Sequence, residues 1–166
     1  MPLVPILLAS QVTAAPRLDV SSPAFAPGAM IPVAHTCDGA DRSPALTWGA
    51  PPDGTASFAL IVDDPDAPGG TWVHWLAWNI APTARGLPEG VAAGAAELIQ
   101  GTNDFRKVGW GGPCPPKGRG THRYFFRVYA LDRPIGLASA ATRAELDGAM
   151  VGHILAAGEW MGKYAR

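Results

Sequence analysis

Charge is scarce in this chain, and what there is nearly cancels. Only 16% of the 166 residues are Asp, Glu, Lys or Arg and the formal net charge is −1, against a usual charged fraction of about 25%. No block of like charge occurs, so the footprint of a nucleic-acid-binding protein is missing, and any affinity for an anion must be local. Cysteine is nearly absent too. Cys37 and Cys114 are not a Cys-x-x-Cys pair, can form at most one disulfide, and cannot complete a structural zinc site alone. Also missing are a Gly-x-Ser-x-Gly elbow, a His-Glu-x-x-His helix and a Walker loop, the signatures of common hydrolases, metalloproteases and nucleotide-hydrolysing enzymes. No apolar run is long enough to span a bilayer, and no basic amphipathic helix is visible, so membrane insertion is not expected.

Gly (20) and Pro (17), by contrast, are abundant, and 48% of the residues are hydrophobic. No short repeat accompanies them, so collagen-like and low-complexity readings fail. The bias predicts a β-rich fold with many turns and at most one helical segment. Residues 1–16 are apolar, then small and polar, with Val12-Thr13-Ala14 resembling a cleavage site but without a positive start. They are read as an export signal or a disordered tail, which implies a secreted or periplasmic protein in the first case and a cytoplasmic one in the second. Residues 17–166 are read as a single domain.

Ser57 to Val62 and Thr71 to Ile80 are predicted strands, separated by Asp63-Asp64-Pro65-Asp66-Ala67-Pro68. The second is apolar at nearly every position, as in a strand covered on both sides. Strict alternation puts Trp72, His74, Leu76, Trp78 and Ile80 on one face and Val73, Trp75, Ala77 and Asn79 on the other. The stretch 109–131 begins with Gly and Pro too dense for regular structure and becomes aromatic and β-branched from His122. A strand is expected there, with Tyr124, Phe126 and Val128 on the face of His122. Thr142-Arg143-Ala144-Glu145 is a capping-box sequence, and Leu146, Ala149, Met150, His153, Ile154 and Ala157 follow at helical spacing. A helix of about four turns, ending at Gly158, is expected.

Three titratable residues fall at strand ends or beside Gly-Pro loops: Asp64, His74 and His122. A carboxylate beside imidazoles stabilises their charged form. The amides of Gly109, Gly111 and Gly112 could add donors unobstructed by side chains. Together these make the chemistry of a pocket for phosphate, sulfate or carboxylate. Trp48, Trp72, Trp75 and Trp78 are read as core and pocket wall, and His35 and His153 as structural histidines.

The ordered motifs Asp64-Pro65-Asp66-Ala67-Pro68, Trp72-Val73-His74-Trp75, Gly112-Pro113-Cys114-Pro115-Pro116-Lys117-Gly118 and His122-Arg123-Tyr124 resemble the phosphatidylethanolamine-binding protein family, in its bacterial-type Raf kinase inhibitor-like branch. Thr36-Cys37-Asp38-Gly39, Ser43-Pro44-Ala45-Leu46-Thr47-Trp48 and Gly101-Thr102-Asn103-Asp104-Phe105 agree, and the likeness covers about residues 18–166. The resemblance implies a mainly β fold with a large central antiparallel sheet, a smaller sheet packed on it and a C-terminal helix. It also implies a pocket for a small anionic or phosphorylated ligand, built from Asp64, His74, Pro116, His122, Tyr124 and Trp48. In that pocket Asp64 orients a histidine, His74 and His122 donate to the anion, Tyr124 supplies a hydroxyl and Pro116 forms the rim.

The function expected on this basis is non-catalytic binding of a small anion, with inhibition of a kinase or protease as the family's name suggests, and no cofactor. The alternative is a hydrolase or metal-dependent enzyme using Asp64, His74 and His122. Cys37 and Cys114 lie in loops beside the pocket motifs, where a bond between them would suit an exported protein.

Overall fold

The computed structural model describes residues 16–166. The expected export signal or tail thus lies almost wholly outside the described residues. No helix among them is long and apolar enough to cross a membrane.

The chain builds two antiparallel sheets. The smaller is formed by β1 (Val20–Ser21), β2 (Leu46–Trp48) and β5 (Gly86–Leu87), in the order β1-β2-β5. The larger contains β3 (Ser57–Asp64), β4 (Trp72–Ile80), β6 (Ile99–Gln100), β7 (His122–Leu131) and β8 (Ile154–Tyr164), in the order β6-β4-β3-β7-β8. Its central strand β3 is buried at every residue, which explains why the sequence is apolar there without alternation. Between the sheets, Phe58, Leu60, Val62, Phe126 and Val128 meet Val20, Leu46, Trp48 and Leu87. On the outer face of the large sheet, Ala59, Ile61, Leu76 and Trp78 are covered by Ile135, Leu146 and Met150. The expected mainly β architecture, a large antiparallel sheet packed with a smaller one and a helix late in the chain, is the observed one.

The helix, α1 (Arg143–Met150), starts as predicted but ends early. Thr142 caps it, its side chain accepting from the Glu145 amide while the Glu145 carboxylate accepts from the Thr142 amide. Replacing Thr142 with Ala is expected to cost about 1 kcal/mol in urea unfolding. Residues 154–157, expected in this helix, begin β8 instead. The apparent helical spacing there rests largely on alanines, and the long ladder with β7, from His122↔Tyr164 to Leu131↔Ile154, outweighs local propensity. Gly152, at φ +78°, makes the turn between the two elements. His153 therefore sits in that turn, hydrogen-bonded to Asp132 at 2.9 Å, and not on a helix. Gly158 is not a helix stop but a contact point: a Cβ there would lie 2.1 Å from the Leu18 carbonyl oxygen.

Strict alternation also fails in β4, at two bulges. Val62 pairs with Trp75 and Asp63 with Val73, so His74 is the extra residue of the first. The second surrounds Asn79, whose φ is 55° and whose amide side chain exchanges two hydrogen bonds with the Ile135 backbone. As a result Trp75, Ala77 and Ile80 share the inter-sheet core, while Val73, Leu76 and Trp78 point to the helix side. His74 packs on Tyr124, on the inter-sheet side, and not beside Leu76 and Trp78 as alternation predicts.

Candidate functional site

Three strands deliver the site at one end of the large sheet. Because β3 runs antiparallel to both β4 and β7, its last residue, Asp64, lies beside the beginnings of the other two. Those beginnings carry His74, on the bulge, and His122 and Tyr124. Pro65 and Pro68 end β3, and Pro115 and Pro116 precede β7, so proline-rich turns form the mouth. The resulting cavity, about 180 Å³, is lined by Asp64, His74, His122 and Tyr124, with Trp72, Phe105, Pro68 and Pro116 among its walls.

The hydrogen bonds fix both imidazoles. His122 Nδ1 lies 2.7 Å from Asp64 Oδ2, with both side chains about 5% exposed. The other Asp64 oxygen accepts from the Asp66 amide at 2.8 Å. Each Asp64 oxygen thus has one partner, and the carboxylate orients His122. His74 Nδ1 lies 2.6 Å from the Gly111 carbonyl oxygen. A carbonyl only accepts, so Nδ1 carries the proton and Nε2 is the ring's free position. Burial pushes the His74 pKa below its ordinary value, against the opposing pull of the Gly111 carbonyl and of Asp64. Without an anion, His74 is thus a neutral ring offering a lone pair at Nε2, and not a ready-made donor.

Tyr124 is 1% exposed. Its hydroxyl has no hydrogen-bond partner in the structure. Burial first, then the Asp64 carboxylate, raises its pKa well above the usual phenol range, so it stays a protonated donor. Edge-to-face contacts join these rings: His74 lies 5.2 Å from Tyr124 and 5.4 Å from Phe105, centroid to centroid.

The Gly-Pro loop supports the site without lending it donors. The Gly111 amide bonds the His74 carbonyl oxygen, the Gly112 amide bonds Asp41, and the Gly109 amide bonds the Gly101 carbonyl. All three amides predicted to face an anion are therefore spent inside the protein. Gly112 is needed for a different reason: a Cβ there would lie 2.3 Å from both Asp41 Oδ1 and the His35 carbonyl oxygen. A disulfide between Cys37 and Cys114, with Cα atoms 5.4 Å apart, ties this loop to the 33–41 segment. Cys114 itself lines the cavity.

Of the six residues proposed from sequence, the structure brings Asp64, His74, Pro116, His122 and Tyr124 into one cavity. Trp48 is the exception. Its ring packs on Phe58 in the inter-sheet core, with its indole N–H bonded to the Ala84 carbonyl oxygen. The strand carrying it belongs to the small sheet, which does not reach the cavity wall. Phe105 is the one aromatic among the wall residues that sequence reasoning did not assign to the pocket. Its place follows from Asn103, whose buried amide bonds Gly109, Phe105 and Lys107, and from Asp104, which bonds the Val73 amide. The signal available was the polar Asn103-Asp104 pair directly before an aromatic residue. Among the described residues, no group of three or more His, Cys, Asp or Glu could hold a metal ion.

Two stacked antiparallel sheets with a small, aromatic-walled, imidazole-lined pocket at a strand end define the class. A family model for phosphatidylethanolamine-binding proteins matches residues 21–165, and the chain belongs to that family. A UPF0098 protein of Pyrococcus horikoshii is 46% identical over 154 residues, covering 90% of this chain and 77% of the relative. Among solved structures, a phosphatidylethanolamine-binding protein homolog from Chlamydia trachomatis superposes with a TM-score of 0.84 at 37% identity, covering 90% of this chain and 98% of the other. E. coli YbcL, described as a new member of the mammalian family, gives a TM-score of 0.84 at 35% identity, covering 90% and 99%.

Proposed function

We propose that this chain binds a small anion of the phosphate type in the cavity of Asp64, His74, His122 and Tyr124, as a binding module and not an enzyme. The observation that carries this reading is the Tyr124 hydroxyl, buried in the cavity wall without a partner. An unpaired buried hydroxyl costs about 1–3 kcal/mol, and a ligand oxygen would remove that cost. His122, once protonated, adds a charged donor at Nε2 while Asp64 holds Nδ1. His74 Nε2 accepts from a protonated ligand oxygen, or takes up its proton. Phosphate near neutral pH carries both bare and protonated oxygens and so suits this set. The surrounding Trp72, Phe105 and Pro116 exclude water and strengthen each polar contact.

Catalysis is disfavoured by what lines the cavity. No Ser or Thr is there, and both cysteines are in the disulfide. Among the described residues, no cluster of three or more His, Cys, Asp or Glu stands ready to hold a metal ion, and Asp64 is already committed to His122 and the Asp66 amide. On this reading, inhibition of a kinase or protease would consist of capturing a partner's phosphoryl or carboxylate group. The disulfide supports residence in an oxidising compartment, in keeping with export.

Calorimetric titration with inorganic phosphate tests the proposal. Binding is expected without added metal and in the presence of a chelator. Tyr124→Phe should weaken it about two- to tenfold, the worth of one neutral hydrogen bond of about 0.5–1.5 kcal/mol. No saturable binding at tens of millimolar phosphate would refute it.

A further inference from the structure

We infer that the cavity is the inner half of a longer site, and that a basic basin beside it takes a second anionic group of the same small-molecule ligand. This rests on the anion-binding reading of the cavity. The basin is an open concavity of about 670 Å³ whose wall includes Arg119, Arg123 and Lys163, with Asp66 as its one carboxylate. His122 lines both concavities, so a ligand anchored on its imidazole can run from one into the other.

Three observations mark the basin as more than a solvated surface. Asp66 is spent on Arg123: it accepts from the Arg123 amide at 3.0 Å, Nε at 2.9 Å and Nη2 at 2.8 Å. That leaves Arg119 and Lys163 without an ion pair among the described residues. Next, Arg123 and Lys163 are direct register partners on β7 and β8. Like charges placed opposite each other in a sheet are destabilising, and their side chains share a face. Asp66 offsets the charge of Arg123, whereas Lys163 has no ion-pair partner among the described residues, and an anion set in the basin would supply one. Finally, Arg119 and the cavity rim belong to one turn. The Arg119 amide bonds the Pro116 carbonyl oxygen at 3.3 Å, and Gly118 and Gly120, at φ +70° and +88°, shape the turn. Seating a group against Pro116 therefore brings it within the same turn as the Arg119 cation.

The ligand class that fits is a small molecule with two phosphoryl or carboxylate groups, one desolvated in the cavity and one in the basin. Straight-chain alkanediol bisphosphates with two to eight carbons, titrated beside alkyl monophosphates of equal length, provide the test. One chain length should bind best, about tenfold (about 1.4 kcal/mol) more tightly than its monophosphate at low salt, through two exposed ion pairs. The gain should shrink at physiological salt. In the double variant Arg119→Gln, Lys163→Gln, the bisphosphate should fall to the monophosphate's affinity. Asp66→Asn, which releases Arg123, should tighten bisphosphate binding further. A bisphosphate no tighter than its monophosphate at any length overturns this inference alone, as does a gain that survives the double variant. Failure of both compounds to bind overturns it together with the reading of the cavity.

Discussion

Replacing Cys37 and Cys114 together with Ser is expected to lower folding stability by about 4 kcal/mol, the largest effect on stability anticipated here. The two residues are 77 apart in sequence, and closing a loop of that length in the unfolded chain removes about 4–4.5 kcal/mol of conformational entropy on the chain-entropy estimate. For a chain of this size that corresponds to a fall in thermal midpoint of about 8–16 °C. The bond also works locally. It joins the 33–41 segment to the loop whose Gly111 carbonyl oxygen holds His74, and the Cys37 amide bonds the neighbouring Pro113 carbonyl oxygen at 3.1 Å. Phosphate affinity should therefore drop in the variant even where it remains folded. Reductant should shift the wild-type midpoint towards that of the variant and leave the variant unchanged. A double variant within 1 kcal/mol of the oxidised wild type in urea unfolding would contradict this.

What could be read from the sequence divides along physical lines. Strand β3 and strand β7 were legible because burial writes directly into residue type: Phe58, Leu60 and Val62 face one core and Ala59 and Ile61 the other. The start of α1 was legible because a cap is a local interaction between residues three apart. Its end was not, since residues 154–157 become a strand only through pairing with β7, a partner distant in sequence. The bulge at His74 was equally hidden. A period-two reading has no means of inserting an extra residue, yet that residue is the one whose side chain reaches Tyr124. The polar partners of the site divide in the same way. That Asp64 orients a histidine was implied by the family resemblance, though not that the histidine is His122, whereas the consumption of the Gly109, Gly111 and Gly112 amides depends on Gly101, His74 and Asp41, which only the fold brings near.

The histidines carry the second large effect, and its pH dependence separates anion binding from metal binding. His122→Ala removes a charge-assisted donor and leaves Asp64 buried without its partner. Affinity for phosphate should fall by about 1.5–3 kcal/mol, roughly 10- to 150-fold. His74 contributes to the pH dependence alongside His122, since both imidazoles line the cavity. The His74 pKa is lowered from 6.5 by burial, with Asp64 and Asp104 the nearby carboxylates that oppose the shift, and the protonated Tyr124 hydroxyl adds no charge. Below pH 6.5 the unfolded chain thus binds a proton at residue 74 that the folded protein does not, so this group's contribution to stability is lost as pH falls. An anion at Nε2 reverses that balance, because an opposite charge favours the imidazolium. Binding therefore takes up a proton, and affinity should rise as pH falls from 8 towards 6. Sulfate is the cleaner probe, since its own charge stays constant over that range and the slope then belongs to the protein. Protons would instead displace a metal from the same nitrogens, giving a slope of opposite sign. Calorimetry with sulfate at pH 6 and pH 8, with and without a chelator, should show the tighter binding at pH 6 and no effect of the chelator. Chelator-sensitive binding that strengthens towards pH 8 would remove the anion reading and put a metal-dependent activity of Asp64, His74 and His122 in its place.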